Sequence, residues 1–214
     1  QDGSGTLDDS FVLGCGDVDG PRLSADVHPA RGGGNVTWRI AFGSVALEDC
    51  GGPAPGLPTE LYLVDIGEDE RSLRQTFARP LADVALARDD DVDLVAVLDV
   101  DGRIFITRAD DDGFTSEAPT ELPLAEPAAP EAGLALAVFA GGRLAVAYRA
   151  AASEDLIVSS FDGTGQTRGG DHREPSGRAP RLVTSPDGER LLLAGEVGEG
   201  MNEARVVIAR LACR

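Results

Sequence analysis

Short apolar runs recur along the chain, and the most regular of them are Trp38-Arg39-Ile40-Ala41-Phe42, Leu94-Val95-Ala96-Val97-Leu98, Leu144-Ala145-Val146-Ala147-Tyr148 and Leu191-Leu192-Leu193-Ala194-Gly195. Each is apolar almost throughout, the pattern of a strand covered on both faces. Another short strand precedes each one, at 22–27, 82–87, 134–139 and 181–184. Turn-forming residues separate the two: Gly32-Gly33-Gly34, Asp89-Asp90-Asp91, Gly141-Gly142 and Pro186-Asp187-Gly188. A third strand follows in every unit, at 61–65, 104–108, 156–160 and 206–210, apolar at its start and polar at its end. A fourth and more polar strand is predicted at 72–78, 114–118 and 165–168.

The units begin at 22, 82, 134 and 181, intervals of 47 to 60 residues. Four antiparallel strands at that period predict an all-β fold, a β-propeller of four blades. The expected organisation is one domain over 1–214, with blades at about 22–79, 80–131, 132–178 and 179–214 plus 7–14. The last unit stops after its third strand, and Asp9-Ser10-Phe11-Val12-Leu13-Gly14 is an unclaimed strand ahead of the first. Pairing the two would supply the missing outer strand and close the ring with the N-terminal segment. The stretches 48–58 and 122–132, rich in Pro with Gly or Ala, read as loops; a fifth blade would have to hide there.

The segment Pro180-Arg181-Leu182-Val183-Thr184-Ser185-Pro186-Asp187-Gly188-Glu189-Arg190-Leu191-Leu192-Leu193 resembles the WD40-like repeat of TolB-type propellers. Its Ser-Pro-Asp-Gly centre is turn chemistry: Pro presets φ, Asp caps the turn, and Gly takes positive φ. Asp99-Val100-Asp101-Gly102-Arg103 and Phe161-Asp162-Gly163 are hairpin relatives of it. The resemblance implies a propeller whose relatives often bind other proteins in the periplasm or at the cell surface. It carries over no functional residues.

Composition narrows the function classes. The chain has 37 acidic and 19 basic side chains, for a formal charge of −18, and every basic residue is arginine. A field of that sign repels phosphate backbones, so no nucleic-acid partner is expected. No run approaches the 18 or so apolar residues of a membrane-crossing helix. Arginine without lysine suggests a GC-rich, bacterial-type source, and the acidity suits solubility at high salt. A start at Gln1 fits removal of a signal peptide, so a secreted, periplasmic or cell-surface location is expected.

Candidate chemistry is sparse. The two histidines, His28 and His172, lie outside any nucleophile motif and read as surface residues, His172 in a loop over 169–179. No catalytic residue is assigned. The acidic runs 89–93 and 110–112 read as solvated turns, because consecutive carboxylates alternate direction in an extended chain. Asp99 and Asp101 come closest to a calcium loop without completing one, so no metal site and no cofactor are assigned. Asn35-Val36-Thr37 fits a glycosylation sequon but adjoins a buried strand. Of the three cysteines, Cys15 and Cys50 fall on one face of the ring by strand order, and Cys213 on the other. The expected disulfide is therefore Cys15–Cys50.

The function these features point to is non-catalytic: a secreted or periplasmic propeller that binds a protein or serves as a subunit of a surface assembly. The binding residues are unknown at this level. The alternatives are a propeller hydrolase or lyase with a central-channel site, and a carbohydrate-binding module. Two histidines argue against the first, and ten aromatic residues, mostly inside strands, against the second.

Overall fold

The computed structural model describes residues 24–28, 37–44, 58–66, 71–89, 92–110, 113–115, 118–139, 141–185, 188–197 and 205–212. They form four antiparallel sheets in chain order, and every strand pairs with its sequence neighbour. The first sheet holds β1 (Ser24–His28), β2 (Thr37–Ser44), β3 (Glu60–Ile66) and β4 (Arg71–Thr76). The second holds β5 (Leu81–Asp89), β6 (Val92–Asp99), β7 (Ile104–Ala109) and β8 (Thr120–Glu121). The third holds β9 (Leu134–Phe139), β10 (Arg143–Arg149), β11 (Leu156–Phe161) and β12 (Arg168–Glu174). The fourth has three described strands, β13 (Gly177–Thr184), β14 (Arg190–Val197) and β15 (Arg205–Ala212). Helical structure among the described residues is one 3-10 turn, Pro130–Ala132.

The sheets stack face to face in order, with first strands side by side: β5 lies against β1 and β2, β9 against β5, and β13 against β9. This explains why the centres of the second strands β6 and β10 are apolar at every position. In β6, Val95 and Val97 join Ala41, Leu61 and Leu63 of the first sheet. The alternate residues Leu94, Ala96 and Leu98 join Leu136, Val146 and Tyr148 of the third. In β10, Ala145 and Ala147 turn the other way, toward Leu191 and Leu193 of the fourth. Each large side chain so enclosed stabilises the fold by roughly 1.5–3 kcal/mol.

The sequence pattern predicts the same double cover for β14, and the structure differs. Leu191 and Leu193 are buried, but Leu192 is 38% exposed and Val183, directly across from it, is 60% exposed. The outward face of the fourth sheet is therefore open at this pair.

Two fourth strands also lie elsewhere than predicted. In the second sheet the fourth strand is Thr120–Glu121, not 114–118. The amide of Asp110 bonds the Gly113 carbonyl, so the chain turns back at once. It touches Ala109 through a single bridge at Phe114 before leaving the sheet. In the third sheet the Asp162 carboxylate accepts bonds from the amides of Thr164, Gln166 and Thr167. That turn occupies the residues read as a strand and delays β12 to Arg168. His172 consequently sits in β12 opposite Val158, not in a loop. Of the Ser-Pro-Asp-Gly segment, Ser185 and Gly188 are described; the Gly188 amide bonds the Ser185 carbonyl, and Gly188 has φ 69°. Residues 9–14, Asn35, Cys15, Cys50 and Cys213 lie outside the described residues.

Candidate functional site

Where the first strands of the second, third and fourth sheets come together, they enclose a cavity of about 720 Å³. Asp83–Leu86 of β5 form one wall, and Glu131–Leu136, leading into β9, form another. Arg149 at the end of β10 and Arg178, Ala179, Arg181 and Leu182 of β13 complete it. The volume falls inside the range of roughly 300–1,000 Å³ common for small-molecule sites.

The acids in this wall serve the fold. Asp83 is buried, and its two carboxylate oxygens accept from the amides of Val84 (2.9 Å) and Leu134 (2.8 Å). One side chain thus ties the first strands of two sheets together. Gly133, with φ 95°, delivers the Leu134 amide to it straight after the 3-10 turn. Glu131 is exposed on the rim.

Arg178 and Arg181 are brought to one face by a fault in β13. Arg178 pairs with Glu196 and Arg181 with Ala194, so three residues advance on one strand against two on the other. Ala179 and Pro180 together oppose Gly195, which is a β-bulge. Alternation alone would send positions 178 and 181 to opposite faces. The bulge sets them on the same face, across from Glu196 and Ala194, which is the outward face that Val183 and Leu192 share. It is made with Ala179 at φ 49°, a left-handed conformation that side chains other than glycine seldom adopt. The Arg178 Nε donates to Glu196 at 3.1 Å, and Arg181 donates to the Pro180 carbonyl at 3.0 Å. Arg149 pairs with Glu154 at 3.1 Å, while its own Nε is enclosed without a hydrogen-bond partner among the described residues.

Other polar clusters hold sheets or turns. Arg39, 5% exposed, spans two sheets: its guanidinium grips both oxygens of Asp65 and also reaches Asp93, which is 1% exposed. Hydrogen bonding to Asp65 pushes the Arg39 guanidinium further up, against the cost of its burial. Burial pushes the Asp93 carboxyl up, and Arg39 pulls it back. This acid belongs to a run read as a solvated turn. Its partner is 54 residues away, and no local pattern announces the pair.

Asp99 and Asp101 occupy the β6–β7 turn. Asp99 accepts from the amides of Asp101 and Arg103 at 2.9 Å each and from the Arg103 guanidinium. Asp101 is exposed and pairs with Arg79 at 2.6 Å. These bonds belong to the turn, and a cation at Asp99 would compete with Arg103. His172 meets Glu174 at 2.7 Å on the outer edge. Among the described residues no three His, Cys, Asp or Glu side chains cluster as a metal site would require. Likewise, no helix among them is long and apolar enough to cross a membrane.

Repeated antiparallel sheets stacked by their faces, with first strands around a cavity, place the chain in the all-β, propeller-repeat class. No family model matches the sequence, and no curated protein does. Solved structures do. A fucose-specific lectin from Aleuria aurantia aligns with TM-score 0.50 at 9% identity, over 88% of this chain and 60% of that one. A gluconolactonase from Xanthomonas campestris gives 0.48 at 18% identity, over 82% of this chain and 54% of its own. The Dos1 propeller gives 0.47 at 11% identity, over 91% and 59%. The chain therefore spans little more than half the length of these structures, and at such identities the likeness concerns the fold alone.

Proposed function

We propose that the protein is a non-catalytic binding propeller, secreted or periplasmic, that engages a protein partner or joins a surface assembly. The observation that carries this reading is the make-up of the cavity wall. Its buried acid is tied to two backbone amides, and its remaining charged groups are guanidinium groups and one rim glutamate. Catalysis by a nucleophile or a general base calls for a titratable pair within hydrogen-bond reach. Recognition calls for fixed donors in a preformed hollow.

The ring we propose has four blades, with residues 9–14 adding a strand to the outer edge of β15. Support comes from the apolar pattern of that segment and from the fourth sheet having three described strands where the others have four. The proposed Cys15–Cys50 disulfide would anchor the same segment.

Cross-linking the native protein in its own cells, followed by identification of what is bound, tests the function. A stoichiometric protein partner is expected. Recovery of the protein alone, together with turnover of lactones or glycosides by the purified chain, would refute the reading.

A further inference from the structure

We infer that the outward face of the fourth sheet is where the protein partner docks, and that the partner lays on it an extended segment with an apolar side chain between two acids. This rests on the binding role proposed above and assigns it a surface and a partner chemistry.

The first reason is exposure. Val183 of β13 and Leu192 of β14 are open to water and stand directly across from each other, so they form one apolar patch. Their strand neighbours Leu182, Leu191 and Leu193 turn the other way and pack on the third sheet. Among the described residues one other large apolar side chain is as exposed, Val100, and it sits in the β6–β7 turn. Closure of the ring through residues 9–14 adds a strand to the edge of the fourth sheet, at β15, and leaves this face as it stands.

The second reason is charge. Arg181 lies two residues before Val183, and Arg190 two before Leu192, so both share the patch's face, and both are exposed. Among the described residues neither meets a carboxylate; Arg181 donates to the Pro180 carbonyl. The described acid of this face, Glu196, is held by Arg178 at 3.1 Å. The local sign is thus the reverse of the −18 carried by the chain, and it complements acids.

The third reason is spacing. Arg181 stands across from Ala194, which is four residues along β14 from Arg190, with Leu192 midway. At a rise of roughly 3.3 Å per residue the two arginines are rooted about 13 Å apart along the strand direction. An extended segment laid along β14 repeats that interval. Acids at its positions i and i+4 reach the two arginines, and an apolar side chain at i+2 meets Val183 and Leu192.

The same features choose between occupants. A plane of anionic lipid brings negative charge against the whole molecule, which a chain of −18 repels. A second copy of the chain brings a further −18 with it. A single acidic segment meets only the local arginines, and the more distant acids are screened from it.

The test titrates the purified full chain with the end-blocked peptide Thr-Glu-Thr-Leu-Thr-Glu-Thr at physiological salt, following the Leu192 methyl groups by nuclear magnetic resonance. Saturable shifts are expected. Lysine in place of the peptide's glutamates, or glycine in place of its leucine, should weaken binding at least about tenfold, the factor for a lost charge-assisted bond. R181E and V183D should weaken it as much, while R79Q, at an exposed arginine paired with Asp101, should not. V183T, which keeps the branched shape, should melt like the parent, because Val183 is already open to water. Shifts that never saturate, or binding that tolerates the lysine peptide or V183D, would overturn the docking face. A clear loss of melting temperature in V183T would give the patch to the chain's own first sheet. A dimer that V183D disperses would give it to a second copy, and binding of phosphatidylglycerol vesicles instead of the peptide would give it to a membrane; each overturns the assignment. Repeating the cross-linking with V183D separates this surface from the role it serves: a partner captured equally well by V183D sinks the face alone, and peptide binding with no partner in cells sinks the role alone.

Discussion

Replacing Arg39 with methionine removes the guanidinium that joins Asp65 of the first sheet to Asp93 of the second, at nearly unchanged volume. Asp93 is 1% exposed, so it cannot recover by reaching water. Breaking a buried pair by deleting one partner typically costs about 3–5 kcal/mol. That is a large share of the roughly 5–15 kcal/mol that holds a domain together. With a urea slope of about 2–3 kcal/mol/M, the midpoint should fall by roughly 1–2 M. Urea titration followed by the fluorescence of Trp38, the single tryptophan, measures it.

The pH dependence separates a charge effect from a packing effect. Asp93 in the folded chain sits above its ordinary value of 3.8, chiefly through burial, with Arg39 as the leading opposing influence. Without Arg39 it must rise further. A group whose pKa is raised on folding binds more protons folded than unfolded, so stability falls as pH climbs from the unfolded value through the folded one. The deficit of R39M relative to the parent should therefore nearly vanish below pH 3.8 and open as pH rises. Adding Asp93→Asn to R39M should recover part of it at neutral pH. A deficit under about 1 kcal/mol at pH 7, or one of equal size at pH 3.5, would refute this account of the pair.

Screening should raise stability overall: at formal charge −18 the melting temperature is expected to increase from 0.1 to 1 M salt, as the Debye length falls from about 10 to about 3 Å. A flat or falling curve in differential scanning calorimetry would mean the acids are already matched. Deleting residues 1–14 should bare the outer edge of β15 and cause aggregation, read by light scattering; melting and solubility equal to the full chain would refute the proposed closure. Peptide mapping without reduction should yield a Cys15–Cys50 linked peptide, and a link to Cys213 would overturn the strand order behind that pairing.

The inner strands were legible because burial on both faces writes itself into every position: β6 and β10 leave no polar residue at their centres. Outer strands carry no such signature. Arg168–Glu174 is polar at nearly every position, yet it forms β12, because an edge strand is held by backbone bonds to one neighbour. At 114–118 the reverse happened, where a strand-like composition gave way to the Asp110–Gly113 turn. The cavity was least legible. Alternation places positions 178 and 181 on opposite faces of a strand, and the bulge at Ala179, which no local pattern announces, sets them on one. Asp93 looked like one more surface acid for a similar reason, its partner being far along the chain.

The meander connectivity has a consequence for how the chain reaches this state. Among the described strands every pairing joins sequence neighbours, so each described sheet assembles from one consecutive stretch of chain, and the proposed strand at 9–14 would be the one distant addition. Contacts between sheets then join units already formed, and contact order stays low for an all-β protein. A chain emerging from the ribosome can finish one sheet, offer its bare apolar face, and wait for the next to cover it. At every stage one such face is on display, and in the fourth sheet the display is Val183 beside Leu192. Assembly by successive capping makes the newest sheet the aggregation-prone one, and places the vulnerable moment of folding at the growing end of the stack.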